Sequence, residues 1–261
     1  MKSFIFLITL FLLPSMVLAQ TPNDPLIDRL WYLDKIHAPS AWDITTGNDG
    51  VVVAVIDTGV DLGHPDIEKN VWLNEDEISG NHLDDDGNGF VDDVHGWDFV
   101  DNDALPEPDD ATSFDPSAVS HGTLVAGIIG AVGNNAIGIA GINWDVKIMS
   151  LRILNRQGTG TERAAIEAVN YALDNGADVI NMSFTGRDIS TEFSHVVKRA
   201  YDRGVVFVAA VGNDGTNGQA NLNQNPIYPA CLKARHFTIQ TILFLMNIIR
   251  GIGRGHRPQL R

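Results

Sequence analysis

Two residues in this sequence of 261 have the types and settings for proton-transfer chemistry. Asp57 ends the apolar run Val51-Val52-Val53-Ala54-Val55-Ile56, and His121 opens the run His121-Gly122-Thr123-Leu124-Val125-Ala126-Gly127. A carboxylate at the end of a buried strand is poorly solvated and needs a partner. On residue type alone Asp57 also fits a turn or a helix cap, and His121 a helix start without a chemical role. As a pair they fit a general base with its orienting carboxylate: the acid fixes the imidazole tautomer and stabilises the imidazolium. A second cluster suits a hard cation. Asp84, Asp86, Asn88 and Asp92 place oxygens at alternate positions, as in the first nine residues of an EF-hand loop, with Gly89 at the sixth position. The twelfth position is His95 rather than Glu, so the loop is not a true EF-hand. A solvated acidic loop is the plainer reading, but three consecutive Asp repel one another unless a cation lies among them.

The elements that must hold these residues follow from apolar periodicity. Residues 51–56, 146–154, 179–182 and 205–210 are short apolar runs rich in β-branched residues, the pattern of strands buried on both faces. Between them, residues 161–175 and 190–203 repeat apolar side chains at helical spacing, the second ending at Gly204. Residues 122–131 read as a small, tightly packing helix. Alternating strands and helices predict an α/β fold with a mostly parallel, twisted sheet flanked by helices in three layers. In such sheets ligands collect at the C-terminal ends of the strands, where Asp57 and the turn Val211-Gly212-Asn213 fall.

The segments Val-Ile-Asp57-Thr-Gly and His121-Gly-Thr-Leu-Val-Ala-Gly resemble the first two active-site motifs of the subtilisin-like serine proteases (subtilases, peptidase family S8). Asn181-Met-Ser183-Phe184-Thr185-Gly186 resembles their substrate-pocket segment, and Ala210-Val211-Gly212-Asn213 their oxyanion-hole segment. The motifs stand in the family's order, and Thr21-Pro-Asn-Asp24-Pro is similar to the thermitase-like branch. The resemblance implies peptide-bond hydrolysis through an Asp-His-Ser triad. Asp57 and His121 would be two of its members and Asn213 the oxyanion donor, a role whose loss costs of the order of 3 kcal/mol in enzymes of this type. Gly158-Thr159-Gly160 would pair with an extended peptide, and Ser183, Phe184, Thr185, Val211 and Gly212 would line a pocket for an apolar or aromatic side chain. Many relatives carry a second His where this chain has Leu124. The resemblance also implies a calcium ion held by Asp24, Asp66 and Asn135, in addition to one in the loop containing Asp84, Asp86, Asn88 and Asp92.

The third motif of the family, Gly-Thr-Ser-Met-Ala, does not occur, and no Ser follows Ser194. The expectation is therefore an inactive chain, or alternatively a catalytically dead fold that binds peptide or calcium. Charge marks a break nearby. The first 230 residues carry 12 Lys and Arg against 33 acids, a balance of −21, whereas the last 31 carry six Lys and Arg and no acid. Residues 20–230 are expected to be a partial catalytic domain, and 231–261 an aberrant basic tail from a changed reading frame or mis-joined gene. At the other end, Lys2, the apolar run Phe4–Leu13 and Val17-Leu18-Ala19 fit a cleavable signal peptide, residues 1–19, and hence secretion. That run falls short of the roughly 20 residues a membrane span needs. A single cysteine, Cys231, rules out an intrachain disulfide, and the net charge of −15 argues against nucleic-acid binding through a basic surface. The partners expected are a protein or peptide substrate and calcium, with the chain a monomer.

Overall fold

The apolar runs become strands of one parallel sheet, and their order explains how Asp57 and His121 meet. The computed structural model describes residues 21–109, 120–213, 222, 224–232 and 240–241; the expected signal peptide lies outside them. The strands are β1 (Gly47–Asp57), β2 (Gly96–Asp98), β3 (Asp145–Arg152), β4 (Val179–Met182), β5 (Val206–Ala209) and β6 (Gln240–Thr241). They lie in the order β2-β3-β1-β4-β5-β6, every pairing parallel. The α-helices described are α1 (Trp31–Lys35), α2 (Ala38–Trp42), α3 (His121–Gly130), α4 (Glu162–Asp174) and α5 (Thr191–Asp202). None is long and apolar enough to cross a membrane.

β1 is the central strand, and its last five residues, Val53 to Asp57, are all buried. Because side chains alternate along a strand, its two faces supply two cores. Ala54 and Ile56 join Met149, Leu151, Ile180 and Met182 under α4 and α5, while Val53 and Val55 join Val146 and Ile148 under α3. A third apolar cluster ties α1 and α2 to the end of α3 through Trp42 and Trp144, whose rings lie 5.0 Å apart. Helix starts follow local chemistry: the Thr161 hydroxyl accepts from the Ala164 NH and the Ser190 hydroxyl from the Phe193 NH, caps worth about 1 kcal/mol each.

The steps from β2 to β3 and from β3 to β4 run the same way across the sheet, yet α3 and α4 lie on opposite faces. The two crossovers therefore have opposite hands, and one departs from the near-universal right-handed rule. That departure brings the start of α3 over the end of β1.

Two boundaries differ from the sequence expectation by more than one residue. β1 begins four residues earlier, because the polar stretch from Gly47 continues the strand with an irregular register against β3. β3 ends at Arg152 rather than at Leu154, because the NH groups of Ile153 and Leu154 both turn to the carbonyl oxygen of Asp57, at 2.9 and 3.1 Å.

Parallel sheets are normally covered on both faces. Among the described residues, a groove of about 680 Å³ lies beside α3, lined by Ile128, Ile129 and Ile142 and by Val53, Val179 and Val208 of the sheet. An exposed apolar groove binds apolar dyes. The folded chain should therefore enhance the fluorescence of anilinonaphthalene sulfonate under native conditions, and Ile129→Glu should cut that signal by about half. An unchanged signal in the variant would show that the dye binds elsewhere.

Candidate active site and cation sites

Asp57 is fully buried, and its carboxylate is aimed by its own backbone, with the Thr58 NH on Oδ1 at 2.7 Å. Both carboxylate oxygens lie on Nδ1 of His121, at 2.8 Å (Oδ1) and 3.0 Å (Oδ2). With Nδ1 donating to a buried carboxylate, Nε2 is left as the acceptor nitrogen of the neutral ring, the state a general base requires.

The approach of the two elements depends on Gly122. A Cβ at that position would lie 2.2 Å from the Gly59 carbonyl oxygen and 3.2 Å from the Asp57 Cβ, so only glycine lets the first turn of α3 rest on the end of β1. The Gly122 NH then donates to the Thr58 hydroxyl at 3.0 Å, which locks the junction. Burial by itself would depress the pKa of His121, but the hydrogen bond and charge of Asp57 outweigh it, and the pKa lies above its ordinary value.

Beside the pair runs a cleft with a cavity of about 520 Å³, walled by Gly158, Thr159 and Gly160 on one side and by Ser183, Phe184 and Thr185 on another, with His121 and Thr58 at one end. These sequence-predicted residues thus meet in one place. Gly212 is their neighbour: a Cβ there would lie 3.8 Å from Thr185 Cγ2. Val211 is partly buried and Asn213 exposed; neither is among the cavity's lining residues. Sequence reasoning missed the far wall, formed by Glu162 and Ala165 of α4 and by Ile189 and Phe193 at the start of α5. It also missed Tyr228, whose backbone pairs with Gly186 through hydrogen bonds of 2.8 and 2.9 Å.

Of the residues expected to hold the two cations, those of the first set lie where the segment around Asp24 meets the loop after α3. Asp24 is 1% exposed, and its Oδ2 accepts from the Asn134 NH at 2.7 Å, while Oδ1 is buried with no partner. Burial raises the Asp24 pKa, backbone hydrogen bonds partly offset this, and the charge of Asp66 adds to it. Asp66, 2% exposed, accepts from the Asn135 amide at 3.0 Å and from the Ile139 NH at 2.8 Å. Asn135 turns its own carbonyl to the Ile137 NH. Two buried carboxylates in one place, one with an orphaned oxygen, fit an oxygen-seeking cation.

In the acidic loop, Asp84 and Asp86 converge with Glu77, their nearest carboxylate oxygens all within 4.8 Å of one another. Glu77 was not singled out in the sequence. Asp92 stands outside this group of carboxylates, and Asn88 lies against Asp84 and Asp86. Asp92 accepts from the Asn81 and His82 NH groups, and Asn88 spends its amide on Asp86 and Asp93. After Gly89 the chain turns back toward Asn81, which draws the Asp92 carboxylate onto the Asn81 and His82 NH groups. The loop is fastened to the core by Asp93, which accepts a 2.5 Å hydrogen bond from the Tyr171 hydroxyl, and by Phe90, packed edge-on against Trp97 and Tyr171.

Comparison with known proteins agrees with this geometry. The model of the Subtilase family matches residues 48–244. That match runs past Ala230, where the sequence reading ends the domain, and takes in β6. The chain is 38% identical over 211 residues to thermitase from Thermoactinomyces vulgaris, covering 80% of this chain and 62% of thermitase. It is 38% identical over 201 residues to a thermophilic serine proteinase from Bacillus sp. strain AK1, covering 76% of this chain and 42% of that one. A solved structure of a protease from Pseudoalteromonas arctica PAMC 21717 superposes with a TM-score of 0.58 at 34% identity, covering 75% of this chain and 60% of the other. The chain thus spans about three-fifths of thermitase and of that solved structure, and less of the Bacillus enzyme.

The pair gives a titration test. In Asp57→Asn the depressing effect of burial remains while the charge that opposes it is gone. The His121 pKa should then fall from above its ordinary value to below it, read from the imidazole resonances by NMR. In the parent, the stability contributed by this pair is complete below about pH 6.5, the unfolded value, and is lost as pH rises through the higher folded value. A variant titrating like the parent would mean that Asp57 does not hold the ring.

Proposed function

Because the chain belongs to the subtilase family of serine peptidases, we propose that its fold is the catalytic scaffold of a secreted, calcium-stabilised serine endopeptidase, and that the 261 residues given bind peptide without hydrolysing it. The observation that carries the reading is the buried Asp57 carboxylate held by both oxygens to His121 Nδ1 at the end of a peptide-sized cleft.

In the reaction of the complete machinery, Nε2 of His121 takes the proton of a serine hydroxyl as the oxygen attacks the scissile carbonyl carbon. Asp57 stabilises the imidazolium that results and remains ionised. The proton then passes from Nε2 to the leaving amine. Asn213, on the turn after β5, is the side chain assigned to the oxyanion. Gly158, Thr159 and Gly160 offer backbone to an extended substrate, and the lack of bulk at the two glycines lets it approach. The nucleophile has no counterpart here: no Ser follows Ser194, Ser183 bonds Asn181 at 2.9 Å within the pocket segment, and Ser120 adjoins the histidine itself. That absence also supports a second reading, a dead subtilase fold serving as a peptide- or calcium-binding module.

Activity distinguishes the two readings. The chain as given should bind labelled peptides yet show no turnover sensitive to a serine-directed phosphonate. Restoring a frame downstream that encodes the Gly-Thr-Ser-Met motif should yield phosphonate-sensitive hydrolysis, and His121→Ala in that longer chain should lower kcat by about 10⁴-fold or more. Phosphonate-sensitive turnover by the given chain would overturn the proposed inactivity. If no downstream frame encodes the motif, the dead-module reading stands.

For calcium, Asp24 and Asp66 would hold the ion that joins the N-terminal arm to the loop after α3, with Glu77, Asp84 and Asp86 the second group. A bound cation neutralises the buried carboxylates and replaces the staple that disulfides cannot supply here. Calcium at 100 times its Kd should stabilise the chelator-treated chain by about 2.7 kcal/mol per site. Asp24→Asn should remove one such increment in thermal melts, and Glu77→Gln the other. Identical calcium-induced shifts in parent and variants would place the ion elsewhere.

A further inference from the structure

The far wall of the cleft has a charge pattern that the apolar-pocket expectation does not contain. The cavity is walled by Leu154, Ala165, Phe184, Ile189 and Phe193, all apolar. Two carboxylates, Glu162 and Asp188, stand among the lining residues, and no Lys or Arg among the described residues does. Glu162 is held in place: its Oε1 accepts from the Ser190 NH at 2.6 Å, across from the first turn of α4 to the cap of α5. Arg163, its sequence neighbour, is committed to Glu167 at 2.8 Å and does not neutralise it.

Resting on the peptide-binding reading above, we propose that this pocket selects a basic side chain of the bound peptide, its aliphatic stem along the apolar wall and its cationic head between Glu162 and Asp188. Lys and Arg are built this way, a methylene stem with a charged tip, and they lay the stem on apolar surface while the tip stays hydrated. The opposing contribution is the pair of helix starts at the pocket, α4 and α5, each equivalent to about half a positive charge. Two full carboxylates outweigh two such half charges, so these contributions together favour a cation. Both acids are exposed, which makes the preference moderate and sensitive to salt. An apolar side chain would fill the same walls but bring no charge to the two carboxylates, and an acidic one would be repelled.

The test uses the full chain and a set of fluorescein-labelled hexa-alanine peptides in which Lys, norleucine or Glu replaces one alanine at each position in turn, with binding read by anisotropy. At one position the order should be Lys, then norleucine, then Glu, with Lys about fivefold tighter than norleucine at low salt and the ratio shrinking toward one at high salt. Glu162→Gln keeps an acceptor for the Ser190 NH. Combined with Asp188→Asn, it should bring the Lys-to-norleucine ratio close to one. Equal binding of Lys and norleucine peptides by the parent would overturn the proposal and leave the cleft reading intact. A salt-sensitive Lys preference that survives in the double variant would also overturn it, by placing the selecting charge elsewhere. Failure of every peptide to bind would overturn the peptide-binding reading and the proposal together.

Discussion

A fully buried carboxylate is the constraint around which the domain is organised. Asp57 sits where solvation is least available, at the end of the strand that both cores share, and remains there because His121, the Thr58 NH and the surrounding turn supply what water would. Each requirement propagates outward. The imidazole must come from a helix that starts directly above the strand end; that start must carry glycine at its second residue; and the helix must lie on the face opposite α4 and α5. Even the early end of β3 belongs to this arrangement, since Ile153 and Leu154 leave the sheet to satisfy the backbone carbonyl of Asp57.

The same pressure recurs at the other acidic positions. Arg152, in register with Asp57 on the neighbouring strand, is 4% exposed and bridges Asp98, Asp101 and Asp109. Burial raises the pKa of Asp98 and of Asp93 while donors around each carboxylate pull the other way. A chain with a net charge of −15 thus divides its negative charge among a guanidinium, backbone NH groups, a tyrosine hydroxyl and the places suited to cations. Removing a partner from any of these buried groups leaves a charge unmatched, which is more damaging than the loss of one hydrogen bond.

The central part of this architecture was legible in the sequence because it is carried by local patterns. The run from Val51 to Ile56 lies within β1 and is buried from Val53 on, the spacing in residues 161–175 and 190–203 matches α4 and α5 to within about a residue at each end, and the motif around His121 coincides with the start of α3. What escaped is what depends on distant segments meeting. Glu77 joins Asp84 and Asp86 only because the loop folds back on itself, and Asp92 leaves them for the same reason. Glu162 becomes a cleft residue because α5 begins beside α4, a relation that no spacing within either helix encodes. The opposite hands of the crossovers likewise appear only when strand order and helix layer are known together.

That opposition of hands also bears on the order in which the molecule can assemble. The run from β3 through α4, β4 and α5 to β5 joins neighbours in sequence, or nearly so, and all its helices cover one face. The Asp57–His121 bond joins residues 64 apart in sequence, with β1 lying between β3 and β4 and α3 on the face opposite α4. Loop closure of this kind is entropically costly before its contacts exist to offset it. The junction that names the chemistry thus carries the longer closure, and β1, which pairs with both β3 and β4, is the strand through which the two halves of the sheet depend on each other.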